Sequence, residues 1–214
     1  MGASVGAPGT DAAAPGDAAD FTEHRLSTTV VYRGRMLEVR EDTVRLPDGG
    51  EARREYVIHP GAAVILPLFE DWSVLLERQF RYPVGMHLYE LPAGKLEAGE
   101  PHLDTAKREL LEETGYSAER WTRLCTLHPC VGYSNELVEV YLAQGLTLSE
   151  RRLDDEEFLE TLVVPLDDAL EWIRIGRITD VKTQMALFWA DRLRAGWPLG
   201  DAVPPVAPGG VQPA

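Results

Sequence analysis

The sequence predicts an α/β (α+β) fold: a mixed β-sheet covered by a few helices and preceded by an N-terminal strand region. Three observations carry this. AAVILPLF (62–69) and WSVLLERQF (72–80) are short apolar runs separated by the turn-like Glu70-Asp71, too brief for helices and suited to central strands of a sheet. Three other stretches, within 101–114, 166–176 and 180–196, have helical character. The first of these sits between strands and the other two close the domain, and at 214 residues there is enough mass for one generous core.

In chain order, LEVREDTVRLPDGGEARREYVI (37–58) alternates on either side of Asp48-Gly49-Gly50, which is hairpin turn chemistry. The two apolar runs follow, then HLYELPAG, a short strand ended by Pro92. The stretch 101–114 is expected to be helical. Pro101 suits a first helical turn, Gly115 a left-handed stop, and Leu103, Ala106 and Leu110 recur at the spacing of a buried face. WTRLCTLH and ELVEVYLAQ are two further strands joined by the loop PCVGYSN, and FLETLVV is a last strand before the two closing helices. Residues 1–22 and 198–214, rich in Ala, Gly and Pro, are expected to be a flexible leader and tail around a strand region (23–60) and a main domain (61–197).

The formal net charge of −14 argues against a nucleic-acid or anionic-membrane partner, since both select basic surfaces. It does not exclude an anionic small substrate, because a bound metal can reverse the local sign. Two cysteines, Cys125 and Cys130, lack the neighbours of a zinc site and make no disulfide framework, so a reducing cytoplasm is the expected compartment. His128 and Cys130 are expected to be packing or loop residues, since no partner constellation accompanies them.

The chemistry concentrates in GKLEAGEPHLDTAKRELLEETGY (94–116). Glu109, Glu112 and Glu113 lie at i, i+3 and i+4, which puts three carboxylates on one helix face. Such a cluster would repel itself or take up protons, and a hard divalent cation such as Mg²⁺ or Mn²⁺ resolves the conflict. Arg108 is expected to brace one of the carboxylates.

The stretch has the form G-x5-E-x7-R-E-U-x-E-E-x-G-U, with U apolar, through Gly94, Glu100, Arg108, Glu109, Leu110, Glu112, Glu113, Gly115 and Tyr116. With seven positions of fixed type, a chance match anywhere in the chain is on the order of 10⁻⁵. The pattern resembles the defining box of the Nudix hydrolase family. That resemblance implies an α/β/α sandwich and the hydrolysis of a nucleoside diphosphate linked to another group. It implies metals held by Glu109, Glu112 and Glu113, with the backbone carbonyl of Ala93 added. Glu113 and Arg108 then belong to the catalytic apparatus, with Glu100 in support.

EYVIHPGAAVILPL, LLERQFRYPVG, ELPAGKLEAGE, DDEEFLETLVVPLDDAL and ITDVKT look like the ADP-ribose pyrophosphatase branch of that family. The branch implies cleavage of ADP-ribose or a related ADP-sugar to AMP and a sugar phosphate. The alternatives are another dinucleotide, such as NADH or a diadenosine polyphosphate, and a non-catalytic ADP-ribose sensor. By the same resemblance Arg81 contacts the diphosphate, Arg53 or Arg54 makes another substrate contact, and Glu136 belongs to a substrate loop. Glu157, with Glu156 beside it, matches the catalytic base. The loop of Glu136, HPCVGYSNE, departs from the branch pattern at Val131, where the branch carries proline, and this leaves the sugar preference open. The branch also implies a homodimer whose N-terminal strands reach the partner's pocket.

Overall fold

A computed structural model describes residues 19–149 and 158–199, and among them it contains ten strands and three helices. The expected leader and tail lie almost entirely outside the described residues, as do Glu156 and Glu157.

The N-terminal strands β1 (His24–Arg33), β2 (Glu38–Arg45) and β3 (Glu51–Ile58) form an antiparallel three-stranded sheet. The expected hairpin joins β2 to β3. Gly49 takes φ 89°, and the Leu46 N–H donates to the Gly50 carbonyl at 2.8 Å. The first strand had no sequence signal of its own, because almost every residue in it is exposed and no buried face imposes an alternation.

β4 (Ala62–Pro67) is buried at every position, and its period of two serves two cores. Ala62, Val64 and Leu66 join a large cluster with Val74, Leu76, Val140, Leu142 and Leu187. Ala63 and Ile65 face a smaller cluster with Ala106, Leu110, Tyr141 and Ala143. β4 runs antiparallel to β7 (Ala93–Lys95) and parallel to β9 (Val138–Leu148), which pairs antiparallel with β8 (Tyr116–Leu127), in the order β7-β4-β9-β8. This is the expected mixed sheet.

The second apolar run, β5 (Ser73–Arg81), does not share that sheet. It lies between β10 (Leu159–Pro165) and β6 (Met86–Glu90) in a separate antiparallel sheet. Both runs are central strands, but of different layers, linked where Leu68 bridges to Val74. The reason is pairing partner: β4 finds its neighbour in β9, more than seventy residues further on. Helix α1 (His102–Thr114) covers one face of the mixed sheet. On the other face the large cluster gathers β5 with residues of α2 (Leu166–Arg174) and α3 (Val181–Arg194), completing an α/β/α sandwich. No helix among the described residues is long and apolar enough to cross a membrane.

At the helix ends the structure corrects one expectation and meets the other. Pro101 is the N-cap of α1 rather than part of its first turn, with ψ 143°. Gly115 stops the helix as expected, at φ 76°, and its N–H donates to the Leu111 carbonyl.

Candidate active site

The buried face of α1 carries Thr105, Ala106, Glu109, Leu110, Glu113 and Thr114. Two box glutamates therefore lie alongside the apolar stripe rather than opposite it, Glu109 at 9% and Glu113 at 5% exposure. Both side chains end at the same piece of backbone. The Glu113 carboxylate accepts the Ala93 N–H at 3.0 Å. The Glu109 carboxylate fills the space over Gly94, where an added Cβ would lie 1.7 Å from Oε1. Gly94 is thus needed for room. Glu112, on the flank of the helix, stays about one-third exposed.

Arg108 does more than brace one carboxylate, and here the expectation is corrected. Its guanidinium bridges three: Glu100 through Nε at 3.0 Å and Nη2 at 2.9 Å, Glu109 through Nη1 at 2.8 Å, and Glu112 through Nη1 at 3.1 Å. A planar five-donor fork can reach several acceptors in this way. Glu100 is not on the helix but in the loop before it, held there by the Glu97 N–H at 3.1 Å. The hydrogen bond from Arg108 outweighs burial and holds the Glu100 carboxyl at about 2. Hydrogen bonding to Glu100, with help from Glu109 and Glu112, raises the pKa of Arg108 in turn.

Among the described residues no three His, Cys, Asp or Glu side chains converge closely enough to form a ready-made metal cage. The chemistry of the donors nonetheless fits a hard cation. Glu100, Glu109, Glu112 and Glu113 gather four carboxylates in one place, three of them bridged by Arg108. Two of these carboxylates, both buried, are brought to adjacent residues of β7.

These groups open on a cleft of about 850 Å³. Ala93, Gly94, Arg108, Glu109 and Glu113 line it from the box, Arg81 from β5, and Asp180 and Lys182 from the start of α3. Arg81 grips Glu90 with two hydrogen bonds, at 2.7 and 2.9 Å. The bond to Glu90 raises its pKa against the effect of burial, and the charges of Asp180 and Glu113 add to this.

The loop between β8 and β9 supplies Cys130 and Glu136 to the same cleft. It is pinned to the N-terminal sheet: the Val57 N–H donates to the Tyr133 carbonyl at 2.8 Å, and the His59 N–H donates to Asn135 Oδ1 at 2.7 Å. Glu136 lies 3.8 Å from the His59 imidazole, whose pKa is lowered by burial although Glu136 opposes the shift. Cys130 was expected to be a loop residue; it is one, and it also lines the cleft. Both cysteines are free thiols.

Other predicted residues lie elsewhere. Arg53 is on the exposed side of β3, paired with Glu41 at 3.4 Å. Arg54 is paired with Glu23 and lines a second cavity of about 540 Å³ beside Tyr133, Ser134 and Asn135. Within a single chain neither arginine lines the box cleft. The structure adds His59, Lys95, Asp180 and Lys182 to the cleft lining. Their trace in the sequence was the placing of HPG and ITDVKT beside apolar runs, which assigns no role by itself.

A family model described as NUDIX domain matches residues 58–182, and one described as Nucleoside diphosphate sugar hydrolase N-terminal domain matches residues 23–57. The chain belongs to the Nudix family. It is 37% identical over 167 residues to an ADP-ribose pyrophosphatase of Bacillus subtilis (strain 168), covering 77% of this chain and 90% of that one. It is also 37% identical over 169 residues to a methanol dehydrogenase activator of Bacillus methanolicus, covering 78% and 91%. A crystal structure of an ADP compounds hydrolase superposes with a TM-score of 0.74 at 22% identity, over 84% of this chain and 98% of the other. That likeness places this Nudix chain in the same fold.

Proposed function

We propose that this Nudix protein is a metal-dependent nucleoside-diphosphate-sugar hydrolase that splits ADP-ribose, or a related ADP-sugar, into AMP and a sugar phosphate such as ribose 5-phosphate. The observation that carries this is the meeting of Glu109 and Glu113 at Ala93 and Gly94, inside the cleft that Arg81 also lines. The name and coverage of the Bacillus subtilis relative support the substrate, and the N-terminal family match supports the substrate class.

Glu109, Glu112 and Glu113, with the Ala93 carbonyl, would hold Mg²⁺ or Mn²⁺. Such a cation, when bound, offsets diphosphate charge and lowers the pKa of an attacking water. The chain's own residues do the rest. Arg108 keeps Glu109 and Glu112 in place, and Arg81 orients the diphosphate through charge-assisted hydrogen bonds. Water attacks one phosphorus, the bond from that phosphorus to the bridging oxygen breaks, and the water's proton passes to a carboxylate base. Glu157 is assigned as that base, with Glu156 the alternative; both lie outside the described residues. Glu136 and His59 sit together in the cleft, where a carboxylate and an imidazole can hydrogen-bond the hydroxyls of a sugar.

The test is AMP release from ADP-ribose with Mg²⁺ and with EDTA, beside a panel of other nucleotide sugars, NADH and diadenosine polyphosphates. We expect metal-dependent AMP formation. Absence of turnover on every nucleotide sugar refutes the assignment, a preference for NADH or a diadenosine polyphosphate moves it to that substrate, and tight ADP-ribose binding without hydrolysis indicates a sensor.

The assembly belongs to the same proposal. Leu26, Val30, Val31 and Tyr32 on β1, with Met36 and Leu37 after it, are large apolar side chains left exposed. A second copy of the chain covering this sheet forms a homodimer and can bring Arg53 or Arg54 to the partner's substrate. Light scattering tests this, and a clean monomer removes the inter-subunit part. The free thiols fit a reducing, cytoplasmic setting.

A further inference from the structure

Glu90 is the last residue of β6, and β7, which carries the first box residue Gly94, begins three residues later. Its side chain is almost entirely buried, yet it holds two cations. Arg81 binds it through Nε and Nη2, and Lys182 Nζ donates to the same Oε2 that accepts Arg81 Nη2. Lys182 also reaches Asp180 Oδ1 at 2.9 Å, while the other oxygen of Asp180 caps α3 by accepting the Thr183 N–H at 3.0 Å. A further bond, from the Leu91 N–H to Thr183 Oγ1 at 2.8 Å, ties the end of β6 to the start of α3.

Glu90 and Asp180 between them match the charges of Arg81 and Lys182, so what the buried Glu90 adds is position: its one carboxylate holds both cations. The three side chains are layered by exposure: Glu90 at 4%, Lys182 at 18% and Arg81 at 42%. The carboxylate sits behind, and both cations line the cleft that Ala93, Glu109 and Glu113 also line. Arg108, by contrast, is committed to Glu100, Glu109 and Glu112. Arg81 and Lys182 are thus two cations that a single buried acid sets side by side where an anionic ligand would lie.

We propose that Lys182 is a second phosphate-binding cation of this cleft, and that Glu90 is a positioning residue that aligns Lys182 with Arg81 as one clamp for a nucleoside diphosphate. This rests on the hydrolase assignment for its substrate class, but not for its existence. The clamp is a property of binding and can be read on ADP, which carries the diphosphate without a sugar to release.

The experiment compares the full-length wild type with Lys182→Met, Lys182→Arg and Glu90→Gln. It measures the affinity for ADP in Mg²⁺ by calorimetry, KM and kcat for ADP-ribose, and the thermal midpoint. Losing one charge-assisted contact to phosphate weakens binding about ten- to hundredfold. Lys182→Met is therefore expected to weaken ADP binding and raise KM by that factor, with a smaller fall in kcat. Lys182→Arg should restore most of the loss. Glu90→Gln should weaken ADP binding in the same direction, because both cations lose their anchor. If Glu90→Gln fails to fold, the two Lys182 variants decide the matter alone.

Unchanged ADP affinity in a folded Lys182→Met protein overturns the proposal. So does a lowered thermal midpoint with ADP affinity intact, which marks a purely structural ion pair, or a wild type that binds no ADP. A wild type that binds ADP through Lys182 but hydrolyses no nucleotide sugar upholds the clamp and refutes the hydrolase assignment instead.

Discussion

Gly94→Ala isolates the role of the box glycine. Gly94 is not among the residues with positive φ, so alanine meets no backbone strain there. Its nearest obstacle is Glu109: the new Cβ would lie 1.7 Å from Oε1, 1.9 Å from Cδ and 2.4 Å from Cγ. Ordinary contact between such atoms is about 3.5 Å, so the carboxylate must withdraw by about 2 Å. It cannot do so freely, because the residue is buried and Arg108 holds Oε1 at 2.8 Å. Overpacking of this kind costs about 1–3 kcal/mol, which for a chain of this size lowers the thermal midpoint by about 2–12 °C. The effect on rate is larger, since displacing a reacting group by about 1 Å can cost about a hundredfold. The assay is AMP release from ADP-ribose in Mg²⁺ together with a thermal melt, with Gly99→Ala as control. Gly99 has φ +79° and nothing within 4 Å of its virtual Cβ, so that variant pays backbone strain and keeps its activity. A Gly94→Ala enzyme with near-normal turnover would refute the assignment of Glu109 to the working site.

Glu113→Gln should lose about a hundredfold or more in kcat/KM while the thermal midpoint moves by only a few degrees, since the amide oxygen can still accept the Ala93 N–H; normal turnover would remove Glu113 from the metal set. Glu157→Gln should lower kcat by about 10²–10⁴ with little change in metal affinity, read by Mg²⁺ titration of the rate; an unchanged rate points to Glu156. Burial pushes the Glu90 carboxyl up, but the hydrogen bond from Arg81 and the charge of Lys182 prevail and hold it at about 2. Because the folded value lies below the unfolded value of about 4.3, its stabilisation is complete above that value and is lost as pH falls towards 2. Urea midpoints measured from pH 5 to pH 2 should therefore fall more steeply in wild type than in Glu90→Gln, and parallel curves would refute the buried ion pair.

Much of the site could be read along the chain because its signals are local. The i, i+3, i+4 carboxylates, the stop at Gly115 and the glycine turn between β2 and β3 each depend on residues a few positions apart. The apolar stripe of α1 was equally legible, but the burial of Glu109 and Glu113 beside it was not, because only the covering strand β7 makes that face an interior. The reach of Arg108 was underestimated for a similar reason. Glu100 becomes its partner only once the loop before the helix folds back.

The sequence by itself determined the family, the acidic helix and the strand-forming runs, because spacing along a backbone is enough to place side chains on one face of one element. Tertiary structure alone decided that β4 and β5 belong to different sheets, that His59 meets Glu136, and that Arg81, Glu90 and Lys182 share one site. Those contacts join residues from 9 to 92 positions apart. Their partners are chosen by packing and strand register, and the local pattern of residue types holds no record of that choice.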